Sequence, residues 1–360
     1  ALAYAALAKA HSRFYHYGYD QTEDRLAKAK AAVDKALELQ PELAEAHLAL
    51  GSYYYWGHRA YDRALEEFAI AEKDLPNDTR ILEAVAFIWR RQGNFEAALS
   101  NLKRVSEMSP RDASAAFEVA VTYMALLRYP EAERYYDRSI FLEPDQVSGY
   151  EWKAWNYWLG DGSTEKARTV LEEMPRKMDP DSVYFWFLQE LYERNYKSAL
   201  DRLSSATIES IESQFAFIPK AQLAGLVYLL MNEQDQARAS FDSARTILER
   251  EVKERPDDAR APSSLGIVYA ALGRNEEAIQ EGKMAVELYP VSRDALIGVA
   301  RVIDLASIYT MVGDYEAALD QIEYLLSIPS YFSVPLLRLD PIWDPLRHHP
   351  RYQRLLKGKR

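Results

Sequence analysis

Six histidines and several pairs of adjacent glutamates are the residues of this 360-residue chain whose types lend themselves to acid–base or metal chemistry. A general acid or base needs a second titratable group within hydrogen-bond reach, and a zinc-type site needs three or four converging ligands. The spacing provides neither. His11 and His16 are five apart and fall on different faces of a helix, while His47 sits where a packing residue is expected. His348 and His349 are adjacent beside Pro350 and point apart. The pairs Glu66-Glu67, Glu172-Glu173 and Glu276-Glu277 fall on the outer face of helices, where solvated surface explains them. Phosphate-binding glycine loops, dinucleotide fingerprints and H-E-x-x-H are absent, and there is no cysteine to act as nucleophile, thiolate ligand or disulfide. The expectation is a chain that is not an enzyme, with no catalytic residues, cofactor or metal, any catalytic domain lying before Ala1.

Apolar residues make up 48% of the chain and charged residues 28%, a globular composition. A formal net charge of −11 disfavours nucleic acid as a partner, since phosphate neutralisation needs a basic surface. No run of about 18 apolar residues exists to span a bilayer. The chain opens at Ala1 without methionine and already inside a helical pattern, so a fragment or processed chain is expected. The stretch Leu346 to Arg360 holds six Lys or Arg and no acid, which reads as a solvated basic tail.

Laid upon itself, the chain repeats. An aromatic residue, an acid-rich helix start, an alanine and a large residue four later recur as Tyr61-Asp62-Arg63-Ala64 with Phe68, Phe95-Glu96-Ala97-Ala98 with Leu102, and Tyr129-Pro130-Glu131-Ala132 with Tyr136. Ala64, Ala98 and Ala132 are 34 residues apart, and Ala167, Ala199, Ala237, Ala278 and Ala318 continue at looser spacing. Upstream of these lie small residues with an aromatic three later: Gly51/Tyr54, Ala86/Trp89, Ala120/Tyr123, Ala154/Tyr157, Gly225/Tyr228, Gly266/Tyr269 and Ala306/Tyr309. Downstream, Pro76, Pro110, Pro144 and Pro290 end second helices, because proline has no N–H to continue them. Small residues let paired antiparallel helices approach; one pair cannot bury its apolar face, so pairs must stack.

On these positions the chain resembles the tetratricopeptide repeat family, a 34-residue helix–turn–helix with this order of small, aromatic and proline positions. The resemblance implies an all-α, right-handed superhelical solenoid of about nine repeats with an irregular, proline-rich C-terminal cap. The first repeat is split by about nine extra residues around Tyr17-Gly18-Tyr19-Asp20, the sixth is degenerate at Phe187 and Glu190, and the seventh has a second helix lengthened to Arg255. The expected domains are an array of about six repeats over 1–206, an irregular connector and bend over 207–219, an array of three over 220–328, and a cap with basic tail over 329–360. Trp343 and Leu346 are expected to cap the solenoid. The phrase Leu339-Asp340-Pro341-Ile342-Trp343-Asp344-Pro345-Leu346, with Pro350-Arg351-Tyr352 after it, is similar to the ending of bacterial arrays that follow adenylate/guanylate cyclase-type or serine/threonine kinase domains.

In that family the first helices line a concave surface. Carried over by register, the partner-binding groove comprises Leu48, Ser52, Tyr55, Glu83, Phe87, Arg90, Phe117, Val121, Met124, Glu151, Trp155 and Trp158, with Tyr184, Leu188 and Leu191 in the degenerate repeat. Packing of the same rings between neighbouring repeats is the competing expectation. The Lys and Asn clamp by which some relatives hold a C-terminal carboxylate is missing, since the matching pairs are Leu48/Ser52, Glu83/Phe87, Phe117/Val121 and Glu151/Trp155. The function expected is a scaffold for a protein or peptide partner, as the regulatory or recruitment part of a larger bacterial signalling protein in the cytoplasm. Two alternatives stand beside it. One is self-association as a homodimer. The other is substrate docking for an enzyme, whose mark would be a perturbed carboxylate or histidine pair in a deep pocket between the repeats and the 330–360 cap.

Overall fold

The computed structural model describes residues 1–16, 19–20, 22–175 and 180–357. Helices begin and end where the chain's own punctuation places them. Asp112, Ser163 and Asp314 accept hydrogen bonds from the first-turn N–H groups of the helices they precede, and Thr22 does the same for Arg25. Second helices stop two residues before Pro76, Pro110, Pro144 and Pro290, as the missing N–H and the restriction on the preceding residue require. The result is nine helix pairs among the described residues.

The pairs are α1 (Leu2–His16) with α2 (Glu23–Leu39), α3 (Ala44–Ser52) with α4 (Tyr61–Asp74), and α5 (Thr79–Arg91) with α6 (Phe95–Met108). They continue as α7 (Ala113–Ala125) with α8 (Tyr129–Leu142), α9 (Val147–Gly160) with α10 (Thr164–Glu173), and α11 (Pro180–Tyr192) with α12 (Tyr196–Ser205). After a short β-ribbon come α13 (Lys220–Leu230) with α14 (Gln234–Glu254), α15 (Arg260–Ala271) with α16 (Asn275–Leu288), and α17 (Gly298–Val312) with α18 (Tyr315–Ser327). A closing segment holds α19 (Val334–Leu339), a 3-10 helix (Pro341–Leu346) and α20 (Pro350–Lys357). The all-α solenoid of tetratricopeptide-type repeats is therefore the fold, and α14 runs long as its sequence required.

Two compact units divide the chain: residues 1–90 with 94–110, and residues 91–93 with 111–360. In the first, Ala5, Ala8, Val33, Ala36, Leu48, Ala64, Phe68 and Ile88 build one core. In the second, Arg91 is held by Asp294, which is fully buried: guanidinium and carboxylate are 2.8 Å apart, and the Ala295 N–H donates to the Arg91 carbonyl. All eight alanines of the repeating series are buried to 3% exposure or less, so the 34-residue rhythm is the rhythm of helix crossings. Gly266 shows one such close approach. A Cβ there would meet the Ile308 Cδ1 at 2.5 Å and the Ala278 carbonyl oxygen at 2.9 Å.

Three expectations take a different form. The stretch after Ala206 is ordered, as strands β1 (Ser210–Glu212) and β2 (Phe217–Pro219) pair antiparallel with Ile211 opposite Ile218. Its carbonyls find donors in Arg260 (to Ser213), Arg301 (to Phe215) and Ser264 (to Phe217), which is why it can leave helical geometry while partly buried. The basic C-terminal stretch is no solvated tail over its described part. Tyr352 is buried, and Arg351 is clamped by Glu316, Asp320 and Glu323 on α18. In the degenerate repeat, the buried Glu190 that replaces an aromatic sits between Arg168 at 3.0 Å and Arg202 at 3.1 Å. Tyr17, Gly18 and Gln21, in the insertion that splits the first repeat, lie outside the described residues, as do Gly358 to Arg360.

Overpacking at this crossing should make Gly266→Ala less stable by about 1–3 kcal/mol. Removing one partner of the buried pair, in Asp294→Ala, should cost about 3–5 kcal/mol. Urea titrations followed by circular dichroism measure both, and a neutral result at either position would remove the packing argument made for it.

Candidate functional site

The residues that register assigns to a partner groove turn mostly inward. In the first unit Leu48, Ser52, Tyr55 and Arg90 are buried, while Glu83 and Phe87 are half-buried. In the second, Val121, Met124, Glu151 and Trp158 are buried, while Phe117 and Trp155 are half-buried. Each has a local reason. The Ser52 hydroxyl donates to the Leu48 carbonyl at 2.8 Å, and the Arg90 guanidinium lies 5.2 Å from the Phe87 ring centre. The Ser182 hydroxyl donates to the Glu151 carboxylate at 2.8 Å, and the Tyr136 hydroxyl reaches the Met124 sulfur at 3.7 Å. Trp158 donates its indole N–H to Gln189 at 3.1 Å and packs on Phe185, Tyr192 and Trp155. Neither unit presents an open aromatic trough, because the rings fill the space between adjacent first helices.

In the second unit, the chain's own closing segment lies on that face. Trp152 of α9 meets Phe117 of α7, Phe215 of the ribbon and Tyr331 of the closing segment, with ring centres 6.0, 6.5 and 5.8 Å apart. Arg194, at the end of α11, reaches Asp344 at 3.2 Å. Trp343 and Leu346 are buried, as a cap requires, but Trp343 faces the middle of the array together with Leu188 and Trp155. Register could not show this, because the closing segment has no period to place it.

Between this segment and α9, α11, α13 and α17 lies a cavity of about 200 Å³. Its walls are mostly rings and aliphatic side chains, among them Trp155, Tyr184, Phe187, Leu191, Tyr192 and Ile303. Tyr184, Leu188 and Leu191, assigned by register to the groove, thus meet here. Two carboxylates face the same space. Asp340 caps the 3-10 helix by accepting the Ile342 N–H at 3.0 Å, and desolvation pushes its pKa up to about 6. Asp304 accepts the Ser263 hydroxyl and has Arg301 at 3.5 Å, and burial still pushes its pKa upward. Desolvation raises Tyr184 and Tyr192 as well, with the Asp340 charge adding to both. Both carboxylates line the same cavity beneath the closing segment, each desolvated by its own surroundings.

The histidines serve elsewhere. His47 is held between Glu67 at 2.7 Å and the Pro41 carbonyl at 3.0 Å, which also makes Glu67 half-buried instead of solvated. His11 reaches Arg25 at 2.8 Å, and His349 lies 3.2 Å from Glu316. Among the described residues no group of three or more His, Asp or Glu is placed to hold a metal ion, and no helix is long and apolar enough to cross a membrane.

A tetratricopeptide repeat family model matches residues 90–147 and 235–293. These two segments are tetratricopeptide repeats. No curated protein matches the chain. Similar solved structures include that of Pseudomonas aeruginosa pilF, at 19% identity over 56% of this chain and 91% of that one, with a TM-score of 0.45. PilW, described as a widely conserved type IV pilus biogenesis factor, is 16% identical over 56% of this chain and 90% of that one, with a TM-score of 0.47. MamA from AMB-1 is 19% identical over 46% of this chain and 96% of that one, with a TM-score of 0.36.

The raised pKa of Asp340 fixes a pH dependence. Folding favours its neutral form, so that contribution is complete below the unfolded value near 4 and is lost as pH rises through about 6. The loss should amount to roughly 3 kcal/mol, with Asp304 adding in the same direction. Asp340→Asn keeps the cap and removes the charge. It should therefore be more stable than the wild type at pH 7 and lose less stability between pH 4 and 7, measured by urea unfolding at both values. A wild type whose stability does not fall across that window would contradict the buried placement of Asp340.

Proposed function

We propose that the chain is a protein-binding scaffold that holds an apolar helix or peptide of a partner protein on the outward face of α1. One observation carries this reading. Tyr4, Leu7 and Phe14 are 41%, 45% and 50% exposed, and at 100° per residue they fall on one side of the helix together with His11. Ala5, Ala8 and Ser12, which are buried, face the rest of the unit on another side. A contiguous apolar face left in water is the usual mark of an interaction surface. The likeness of the phrase Leu339 to Leu346 to the ending of arrays in bacterial signalling proteins supports a recruitment role in such a protein, and with it a cytoplasmic setting.

Light scattering and site-specific photo-crosslinking test the reading. Benzoylphenylalanine replacing Leu7 or Phe14 should capture one protein that the same probe at Ile70 does not capture. Leu7→Ser/Phe14→Ser should then weaken binding of that purified protein at least tenfold, with unchanged helicity. A wild-type dimer that the double variant dissolves would assign the face to self-association. Monomers throughout, with no face-specific cross-link, would end the proposal.

A further inference from the structure

The cavity beneath the closing segment points to a ligand of a different kind from a protein partner, and the case for it is independent of α1. We infer that this cavity binds a small organic amine: an ammonium group carried on one compact aromatic or branched aliphatic body.

Four observations converge. The first is charge. The Asp340 carboxylate has one oxygen on the Ile342 N–H, and no cation forms an ion pair with it among the described residues. Asp304, by contrast, has Arg301 at 3.5 Å; the charge of Arg194 reaches Asp340 but its guanidinium pairs with Asp344, so the negative charge that lines the cavity without its own ion pair belongs to Asp340. Asp304 keeps 28% of its side-chain surface accessible although it lies beneath the closing segment, because that surface borders the cavity.

The second is unmet hydrogen bonding. Gln222 and Trp343 both line the cavity and are only 5% and 1% exposed. Among the described residues the Gln222 Oε1, an acceptor, has no hydrogen-bond partner. Buried polar atoms without partners are costly, so a ligand that donates to Gln222 and Asp340 recovers free energy that the empty fold forgoes. The third is the wall. Rings of Trp155, Tyr184, Tyr192 and Trp343 surround the space, and aromatic faces attract a cation while accepting an apolar body. Anions are disfavoured by the two carboxylates, and a bare metal ion would find rings where it needs oxygen ligands.

The fourth is size. At about 200 Å³ the cavity exceeds the roughly 150 Å³ that suffices for benzene in an engineered apolar cavity, leaving space for an aminomethyl group and little more. Tyr331, Phe332, Leu336, Asp340, Ile342 and Trp343 come from the closing segment, while the remaining wall belongs to the repeats and the β-ribbon. A bound amine therefore bridges the two and holds the segment down.

Isothermal titration calorimetry and thermal melts on the full chain, at pH 7.5, use benzylamine, benzyl alcohol and phenylacetate as probes. Benzylamine should bind one to one, raise the melting temperature and change tryptophan fluorescence. Benzyl alcohol should bind at least tenfold more weakly, and phenylacetate should not bind. Asp340→Asn should lose at least tenfold in benzylamine affinity while alcohol binding is kept, whereas Asp74→Asn, an exposed carboxylate in the other unit, should behave as wild type. Equal binding of amine and alcohol by the wild type would reduce the site to an apolar void. Failure of benzylamine, cyclohexylmethylamine and isopentylamine alike to bind at millimolar concentration would leave the cavity to water. Both outcomes overturn the inference without reference to the folding of any variant.

Discussion

The structure depends on how closely two helices can cross. At each crossing in the series an alanine or glycine lets one backbone approach another, and a large residue one turn away fills the space beside it. Gly51 faces Phe68 so tightly that a Cβ would stand 2.4 Å from the ring, and Gly266 faces both Ile308 and the backbone of α16. Dispersion contacts are individually small and fall off within a fraction of an ångström, so this closeness is what makes a two-helix repeat stable against its neighbour. The proline and capping residues then decide only where each helix stops.

Polar groups enter this apolar frame where the rhythm is broken, and there they arrive with partners. Glu190 stands in the degenerate repeat between two arginines, and Asp294 precedes α17 with Arg91 and two backbone N–H groups on its oxygens. The β-ribbon survives between helical arrays because arginines and a serine satisfy its carbonyls. Asp340 sits in the closing segment, facing a cavity, with its cap bond and no ion pair among the described residues; Arg194, which pairs with Asp344, is the cation whose charge reaches it.

Two kinds of surface result, with different physical character. The α1 face is exposed and apolar and would be covered at little electrostatic cost by an amphipathic helix. The cavity of the second unit is partly closed over by the closing segment and walled by rings and two carboxylates, the character on which the proposal of an amine ligand rests. A scaffold with a ligand site under its own closing segment could respond to a metabolite at one place and hold a partner at another.

Periodicity alone determined the helix pairs, their boundaries, the buried alanines and the long α14, because each rests on a local rule: small residues at crossings, proline after helices, side-chain oxygens at caps. Trp343 and Leu346 were legible as a cap for the same reason, as large apolar residues among prolines that forbid a long helix. What those residues cover was decided only by tertiary structure. Whether Trp155 and Trp158 face water or each other depends on the neighbouring first helix, and Phe185 and Tyr192 close over Trp158 from α11. Asp304 and Asp340 are 36 residues apart on unrelated elements, and each reads as an ordinary surface acid until α17 and the closing segment fold onto one cavity. A repeat specifies contacts with its neighbours in sequence. Contacts between a non-periodic segment and the repeats it crosses arise only once the array exists to receive it.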